Sequence, residues 1–219
     1  MNSFFNSFFN DTELKSAMLV EIEKHRVADQ IISGTYGEGS NGDDFRGCAI
    51  GCSVHSLARI KKTKLDTSSH QLYEDMLGIP VGLAYLEDAI FEALPDELRK
   101  TWPGRFMEAI PVGADLTMAA HQFMFWLLSD EDDGVIRYAG KYADIKSAIE
   151  QTAELHRLVI QGTPVSKAQW SAAWSAAWSA AESAAGSAAR SAAWSAARIK
   201  QSEKLLQFLR ESPVAMDAK

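Results

Sequence analysis

The stretch Trp170-Ser-Ala-Ala-Trp174-Ser-Ala-Ala-Trp178-Ser-Ala-Ala-Glu182 begins a repeat that dominates the last quarter of the chain. A four-residue unit, Ser-Ala-Ala-X, recurs as far as Arg198, where X is in turn Trp174, Trp178, Glu182, Gly186, Arg190, Trp194 and Arg198. Alanine has the highest intrinsic helix propensity, so the repeat favours a helix even without support from packing. We expect one helix over residues 166–210, about 65–70 Å long, with Gly186 as the place where it would bend.

The tryptophans of the repeat are candidates for a partner-binding surface. Four residues of α-helix turn by about 400°, so each X is displaced by about 40° around the axis from the one before. Trp170, Trp174 and Trp178 therefore form a slanted row, whereas Trp194 emerges on a different face. Large aromatic side chains usually fill cores and interfaces, which favours docking of this helix on the body of the protein. The alternatives are an exposed stripe that binds a protein partner or stacks on bases, and a tandem duplication without a function of its own.

Apolar residues at helical spacing predict further helices along the rest of the chain. We expect the first over residues 11–33, capped by Asp11 or Thr12, ended by Gly34, and with an inward stripe of Leu14, Met18, Ile22, His25, Ala28 and Ile32. Further helices are predicted over residues 46–59, 81–94, 115–128 (capped by Asp115) and 142–161, with short helical segments after Pro95 and at 106–110. Residues 60–72 and Trp102-Pro-Gly104 are expected to be irregular.

The predicted fold class is all-α, an irregular multi-helix bundle with a long carboxyl-terminal alanine-rich helix. We expect a single helical domain over residues 1–219. Its body would comprise residues 11–162, and the long helix at 163–212 would pack on this body or extend from it.

The charge of the chain argues against nucleic acid as a partner. With 22 basic and 29 acidic residues, the net charge of −7 repels a phosphate backbone at long range. Only the run Arg59-Ile-Lys-Lys-Thr-Lys64 offers a local basic patch, and a solvated loop or helix end is the simpler interpretation of that run.

The cysteine content and hydropathy predict a cytoplasmic protein without a membrane partner. Two cysteines, Cys48 and Cys52, do not make a disulfide framework and fit a reducing compartment. The amino-terminal residues 1–10 lack the basic flank and continuous apolar core of a signal peptide. The strongest apolar cluster, residues 123–128, is too short to span a bilayer.

The segment Gly47-Cys-Ala-Ile-Gly-Cys-Ser-Val-His-Ser56 carries the main candidates for chemistry. On a helix, Cys48, Cys52 and His55 fall within about 60° of arc. Zinc needs its ligands about 2–2.3 Å from one point. A helix separates i from i+7 by about 10 Å along its axis, so Cys48 and His55 cannot easily share one ion. A metal site would be better formed by Cys52, His55 and His70, with the helix broken.

A catalytic thiol and simple packing are the other interpretations of this segment. Near a helix amino terminus Cys48 would have a lowered pKa, and His55 could act as its base. A redox pair is disfavoured because neighbouring cysteines on a helix point alongside one another. The simplest alternative is that Gly47, Gly51 and the two cysteines are small residues that let the helix pack closely against a neighbour. In that case no cofactor is expected.

Other titratable residues carry weaker signals. His25 lies within the apolar stripe of the first helix and is expected to be a satisfied core histidine, which could face Cys48 or His55. Glu87, Asp88 and Glu92 could do acid–base work, but a solvated helix face is the expected role of such acids.

Several of these motifs together resemble a family of bacterial and phage hypothetical proteins without an assigned activity. The resemblance covers about residues 25–130 and the repeat, and is carried by His25, Gly34-Thr-Tyr36, Arg46-Gly-Cys-Ala-Ile-Gly-Cys-Ser-Val-His-Ser56, His70, Tyr73-Glu74, Leu77-Gly-Ile-Pro80, Leu86-Glu-Asp-Ala-Ile-Phe-Glu92, Trp102-Pro103, Ile110-Pro-Val-Gly-Ala-Asp-Leu116 and Trp126-Leu-Leu128. It implies a bacterial or phage origin.

Two functions of different classes follow from the sequence. The favoured one is a non-enzymatic accessory protein, such as an anti-defence factor of a phage, that binds a protein through helix faces and the tryptophan row Trp170, Trp174, Trp178 with Trp194. An acidic surface and the absence of a complete catalytic set favour it. The alternative is a small metal- or cysteine-dependent enzyme centred on Cys48, Cys52, His55 and His70.

Overall fold

The computed structural model describes residues 6–39, 44–140, 142–173 and 192–214, with side chains in the last range from residue 196 onward. The regular structure of these residues is helical and includes no strand, only isolated bridges such as Ile31–Gly47. The all-α prediction is therefore confirmed. None of the helices in the described ranges combines the length and apolar character needed to cross a membrane.

Backbone contacts group the chain into two compact units. The first unit comprises Met1–Thr117 and Leu205–Lys219, and the second unit comprises Met118–Lys204. The organisation as a single domain stays a prediction.

The first unit contains six α-helices that precede residue 117, and three residues near the end of the helix Ala192–Arg210, namely Leu205, Leu206 and Leu209, are also buried there. The six are α1 (Thr12–Val27), α2 (Ala49–Lys61), α3 (Gln71–Leu77), α4 (Val81–Ala93), α5 (Asp96–Arg99) and α6 (Trp102–Ala109).

Helix α1 begins as predicted but ends earlier. The Asp11 side chain accepts hydrogen bonds from the N–H groups of Glu13 and Leu14, and the stripe Leu14, Met18, Ile22 and His25 is buried. The predicted end at Gly34 is wrong because Asp29 adopts the left-handed conformation (φ 54°), and the N–H of Gln30 donates to the His25 carbonyl. Residues 30–32 then leave the helix and pair with Gly47.

Helix α2 is the most deeply buried helix segment of the first unit. All of its residues from Ala49 to Leu57 are buried. It packs against α1, α4 and α6. A Cβ on Gly51 would lie only 1.9 Å from the Tyr36 carbonyl oxygen. The prediction that small residues here permit a close approach is confirmed, and the neighbour at Gly51 is the loop around Tyr36.

In the rest of the first unit, some predicted helix boundaries are correct and others are wrong. Helix α4 matches the predicted range, but α3 was expected to be partly irregular. Trp102-Pro-Gly104 begins α6 instead of interrupting a helix. Proline is tolerated in the first turn because backbone N–H groups there have no acceptor within the helix. Trp102 is fully buried, and its Nε1–H donates to the Glu87 carbonyl (3.0 Å).

The second unit is built on α7 (Ala119–Ser129) and α8 (Ala143–Ile160), which pack against each other. The stripe of α8 is buried at Ile145 and Leu155, as its spacing predicts. The expected cap of α7 is wrong: the Asp115 carboxylate accepts from Thr117 instead, and the helix begins four residues after Asp115, at Ala119.

The repeat is helical where it is described. Residues 167–173 and Ala192–Arg210 are helical. Residues 174–191, which include Trp174, Trp178 and the expected bend at Gly186, lie outside the described residues. The single continuous helix over residues 166–210 therefore stays a prediction.

Candidate functional site

Cys48 is held where the chain enters α2. The residue has extended backbone geometry, its N–H donates to the Thr35 carbonyl (2.7 Å), and it is 1% exposed. Burial is the main reason that the pKa of the Cys48 thiol is raised to about 12. The carboxylates of Asp88 and Glu92 also raise this pKa, while the N–H groups of Gly51 and Ile50 oppose the rise. The isolated thiol is therefore protonated at neutral pH and is a poor nucleophile.

Asp88 and Glu92 reach Cys48 from α4. They are four residues apart and so share one helix face. One potential ligand atom of each residue, the Cys48 sulfur and a carboxylate oxygen of each acid, lies within 4.8 Å of the other two. Glu92 is exposed and accepts from the Gly34 N–H (3.0 and 3.2 Å). We call Cys48, Asp88 and Glu92 the thiol–carboxylate cluster.

Asp88 is oriented by two donors on the same oxygen. His70 Nε2 lies 3.0 Å from Asp88 Oδ2, and the Tyr36 hydroxyl donates to that oxygen (3.2 Å). The other oxygen, Oδ1, is buried and makes no hydrogen bond to the described residues. His70 is itself buried and stacks on Tyr85, with ring centroids 4.2 Å apart. Asp88 thus has one oxygen fixed by hydrogen bonds and one that lacks a partner.

A second, fully buried polar group adjoins the cluster. The Glu87 carboxyl is 0% exposed and lies beside the Tyr73 hydroxyl, which in turn lies beside the Ser53 hydroxyl. None of the three forms a hydrogen bond of regular geometry through its side-chain oxygens within the described structure. Burial raises the pKa of Glu87 well above its ordinary value, and the nearby Asp88 raises it further. Burial therefore favours the neutral form of Glu87 in the folded protein.

The predicted solvated face of α4 is thus wrong for two of its three acids. Glu87 is fully buried, and the Asp88 side chain is 15% exposed, because this part of α4 packs against α2 and α3. Only Glu92 is exposed.

The other histidines of the first unit form a separate chain of hydrogen bonds. Gln30 Oε1 lies 2.6 Å from His25 Nδ1, and His25 Nε2 lies 3.1 Å from His55 Nδ1. Because the glutamine oxygen only accepts, His25 carries its proton on Nδ1, and His55 donates from Nδ1. The pKa of His25 is lowered, chiefly by burial. The expectation that His25 is a satisfied core histidine facing His55 is confirmed.

The structure separates the residues that the sequence placed in one metal site. The Cys52 thiol points to the carbonyls of Gly47 (3.3 Å) and Gln30 (3.7 Å), and its pKa is raised to about 12, mainly by burial. His55 stacks on Phe45 and bonds His25, whereas His70 bonds Asp88. Within the described ranges Cys52, His55 and His70 form no metal-ligating group, and the group that meets the distance requirement is the thiol–carboxylate cluster.

Of the four tryptophans proposed to bind a partner, the structure describes the side chain of Trp170. It is partly buried in the second unit and packs on two histidines, with ring centroids 6.0 Å from His121 and 4.8 Å from His156. The two histidines have their Nδ1 atoms 3.0 Å apart. Trp174 and Trp178 lie outside the described residues, as does the side chain of Trp194.

The sequence did not reveal that Asp88 and Glu92 lie beside Cys48. Their i, i+4 spacing was the available signal, but nothing in the sequence shows that this face of α4 meets Cys48. Neither a protein-family model, nor a curated protein, nor a solved structure matches the chain.

Proposed function

We propose that the first unit binds a divalent transition-metal ion, Zn²⁺ by preference, through Cys48, Asp88 and Glu92. The observation that carries this proposal is the convergence of a buried thiol and two carboxylates within 4.8 Å of one another. Thiolate and carboxylate are both ordinary zinc ligands. A thiolate in the set favours zinc over magnesium or calcium, which prefer oxygen ligands.

The geometry of the cluster suits a small adjustment on metal binding. In a tetrahedral zinc site with bonds of about 2.0–2.3 Å, ligand atoms lie about 3.3–3.7 Å apart. From their limiting separation of 4.8 Å, the ligand atoms would need to close by about 1.5 Å at most. Glu92 is exposed, so an ion could reach the site from solvent.

A bound cation would also offset the negative charge of the carboxylates in the thiol–carboxylate cluster. The carboxylates of Asp88 and Glu92 raise the pKa of the Cys48 thiol, and a bound Zn²⁺ would reverse this effect and favour the thiolate. A metal bond would give Asp88 Oδ1 the partner that it lacks. The hydrogen bonds from His70 and Tyr36 to Oδ2 would then act as outer-shell support.

The reaction class that such a site supports is metal-assisted hydrolysis. Three protein ligands leave a fourth position for water, which is the arrangement of catalytic zinc sites. Zinc lowers the pKa of bound water to about 7 and so generates a nucleophile at neutral pH. This proposal re-centres the metal-dependent enzyme inferred from the sequence, with Cys48 retained and the two acids of α4 in place of Cys52 and His55.

Zinc titration of chelator-treated protein tests this proposal. Wild-type protein and the matched control Cys52→Ser should bind one equivalent of zinc. Cys48→Ser and Asp88→Asn should each bind at least about 100-fold more weakly, since loss of an outer-shell partner alone costs 10–100-fold. The outer-shell variant His70→Gln should lose about tenfold. Absence of stoichiometric binding to wild type, or equal losses in Cys48→Ser and Cys52→Ser, would refute the proposal.

We infer as a second candidate function that the chain associates through α1. The outward face of α1 carries Val20 (56% exposed) and Val27 (71% exposed), with Leu19 and Ala28 beside them. These residues line a shallow apolar groove of about 610 Å³. The two charged residues of the groove, Glu23 and Lys24, pair with Arg26 and Glu21 of the same helix, so the groove adds no unpaired charge to a self-complementary contact about a two-fold axis. The partner we infer is therefore a second copy of the chain.

Sedimentation velocity tests this second function. Val27→Lys should shift the chain towards the monomer, because the interface would bury an uncompensated charge. Tyr138→Lys adds the same charge at an exposed hydrophobic position outside the groove and should leave the association unchanged. A wild-type chain that stays monomeric at high concentration would exclude self-association through this face.

We also propose the cellular setting that the sequence suggests. Both cysteines are free thiols, which supports a reducing compartment such as the bacterial or phage-infected cytoplasm. An accessory or anti-defence role is the setting that the resemblance to bacterial and phage proteins favours for an interaction protein.

A further inference from the structure

The carboxyl-terminal end of α2 forms a cavity that neither proposed function uses. The cavity has a volume of about 340 Å³ and is lined by one continuous segment of the first unit: His55, Ala58, Arg59, Lys62, Thr63, Lys64, Leu65 and Thr67. Four of these described lining residues carry basic groups, two carry hydroxyls, and none is acidic. Along α2 the cavity runs from His55, about 10 Å from Cys48, to the end of the helix at Lys62, about 20 Å from Cys48.

The chain reversal after α2 creates the cavity. Lys62 adopts the left-handed conformation (φ 51°), and the Thr63 N–H donates to the Ala58 carbonyl (3.0 Å). The reversal directs the following residues back along the last turn of the helix, and Thr67 and His55 then line the same space. The His55 ring is held in place by its hydrogen bond to His25 and by stacking on Phe45, with ring centroids 4.1 Å apart.

The positive charge at this cavity exceeds what the fold neutralises. Arg59 pairs with Glu21 (3.0 Å). Lys62 and Lys64 are exposed and form no ion pair within the described ranges. The chain as a whole carries a net charge of −7, so a local excess of cations runs against its overall field. The helix carboxyl terminus favours a nearby cation, but that effect fades beyond the last turn, and Lys64 lies past it.

We propose that this cavity binds the phosphoryl group of a small ligand such as a nucleotide. A phosphoryl group presents several oxygens that accept from ammonium, guanidinium and hydroxyl donors at once, and these are the donors that the cavity offers. A carboxylate has fewer acceptor oxygens and would leave part of this donor set unused. The volume of about 340 Å³ falls in the range of small-ligand pockets, which is about 300–1,000 Å³.

Isothermal titration calorimetry at constant ionic strength tests this proposal with three probes: inorganic phosphate, ATP and single-stranded oligothymidine. The site variant is Lys62→Asn/Lys64→Gln, because asparagine tolerates the left-handed backbone at residue 62. The control is Lys61→Gln/Lys167→Gln, which removes the same charge from two exposed lysines outside the cavity lining. Circular dichroism establishes that both variants are folded.

The proposal predicts saturable binding of phosphate or ATP with one site per chain. The site variant should bind at least about tenfold more weakly for each lysine removed, because hydrogen bonds to charged groups are among the strongest. The control should stay within about twofold of wild type. Tighter binding of ATP than of phosphate would identify a polyphosphate group such as that of a nucleotide, and equal binding would identify an isolated phosphoryl group.

Three results would overturn the proposal. The first is the absence of saturable binding of both small probes, and the second is equal weakening in the site and control variants. The third is oligothymidine binding that is tighter than ATP binding and strengthens with length, which would make the patch a nucleic-acid surface.

Discussion

Replacement of Glu87 by glutamine should make the first unit progressively more stable than wild type as the pH rises. The Glu87 carboxyl is fully buried beside Tyr73, and burial raises its pKa well above the ordinary value of 4.5. In the unfolded chain the same carboxyl ionises above about pH 4.5. Folding at neutral pH therefore requires Glu87 to take up a proton. Glutamine has nearly the same shape and needs no proton.

The magnitude follows from the linkage between proton binding and folding. The unfolded state binds fewer protons than the folded state above the unfolded pKa, so wild-type stability falls as the pH rises towards the folded pKa. Each pH unit in this window costs about 1.4 kcal/mol. The stability difference between Glu87→Gln and wild type should therefore grow by about 1.4 kcal/mol per pH unit from about pH 5 up to the folded-state pKa of Glu87.

Guanidinium denaturation at several pH values between 5 and 8 measures this difference. The slope of the difference with pH is the diagnostic quantity, because any constant packing effect of the amide cancels in it. Glu131→Gln, at an exposed acid, provides the control and should show no such slope. A Glu87→Gln variant that differs from wild type by the same amount at every pH would refute a neutral Glu87.

Three further predictions concern packing and titration. Gly51→Ala should destabilise the first unit by about 3 kcal/mol or more in chemical denaturation, since its Cβ would lie 1.9 Å from the Tyr36 carbonyl oxygen. Gly82→Ala, whose Cβ would have nothing within 4 Å, should stabilise the unit by about 0.5 kcal/mol. Equal effects of the two substitutions would contradict the close approach of Gly51 to Tyr36. In metal-free protein both thiols should react with a thiol reagent only on unfolding, because both are buried and each pKa is about 12, and one fast thiol in native protein would contradict this. Burial and the neighbouring His121 lower the pKa of His156 to about 4, so the contribution of the neutral ring to stability is fully present above pH 6.5 and is lost as the pH falls towards 4. His156→Gln should therefore reduce the acid-induced fall in the thermal midpoint. An unchanged fall would exclude His156 as its cause.

The sequence predicted the helices that have strong apolar periodicity and local caps. Helix α8 and the start of α1 follow from such signals, because both the stripe and the Asp11 cap are local. The end of α1 was not predictable in this way. It depends on the pairing of residues 30–32 with Gly47, which is a contact between distant parts of the chain.

The candidate site was less predictable from the sequence than the helices, because its residues come from distant parts of the chain. The sequence drew attention to Cys48 because small residues and a nearby histidine surround it. Its actual neighbours, Asp88 and Glu92, come from α4, and their spacing looks like that of any exposed helix face. Only the packing of α4 against α2 distinguishes these acids from solvated ones. The basic run at residues 59–64 was visible as a charge pattern, but the chain reversal that makes it line a cavity was not.

The absorption spectrum of the cobalt(II)-substituted protein tests the proposed metal centre most directly. A cobalt ion bound to a thiolate gives a sulfur-to-metal charge-transfer band that oxygen ligands alone do not produce. We predict this band in wild-type protein and in Cys52→Ser, with its loss in Cys48→Ser. A spectrum without the band in wild type, or a band that depends on Cys52 instead of Cys48, would contradict the assignment of Cys48, Asp88 and Glu92 as the ligands.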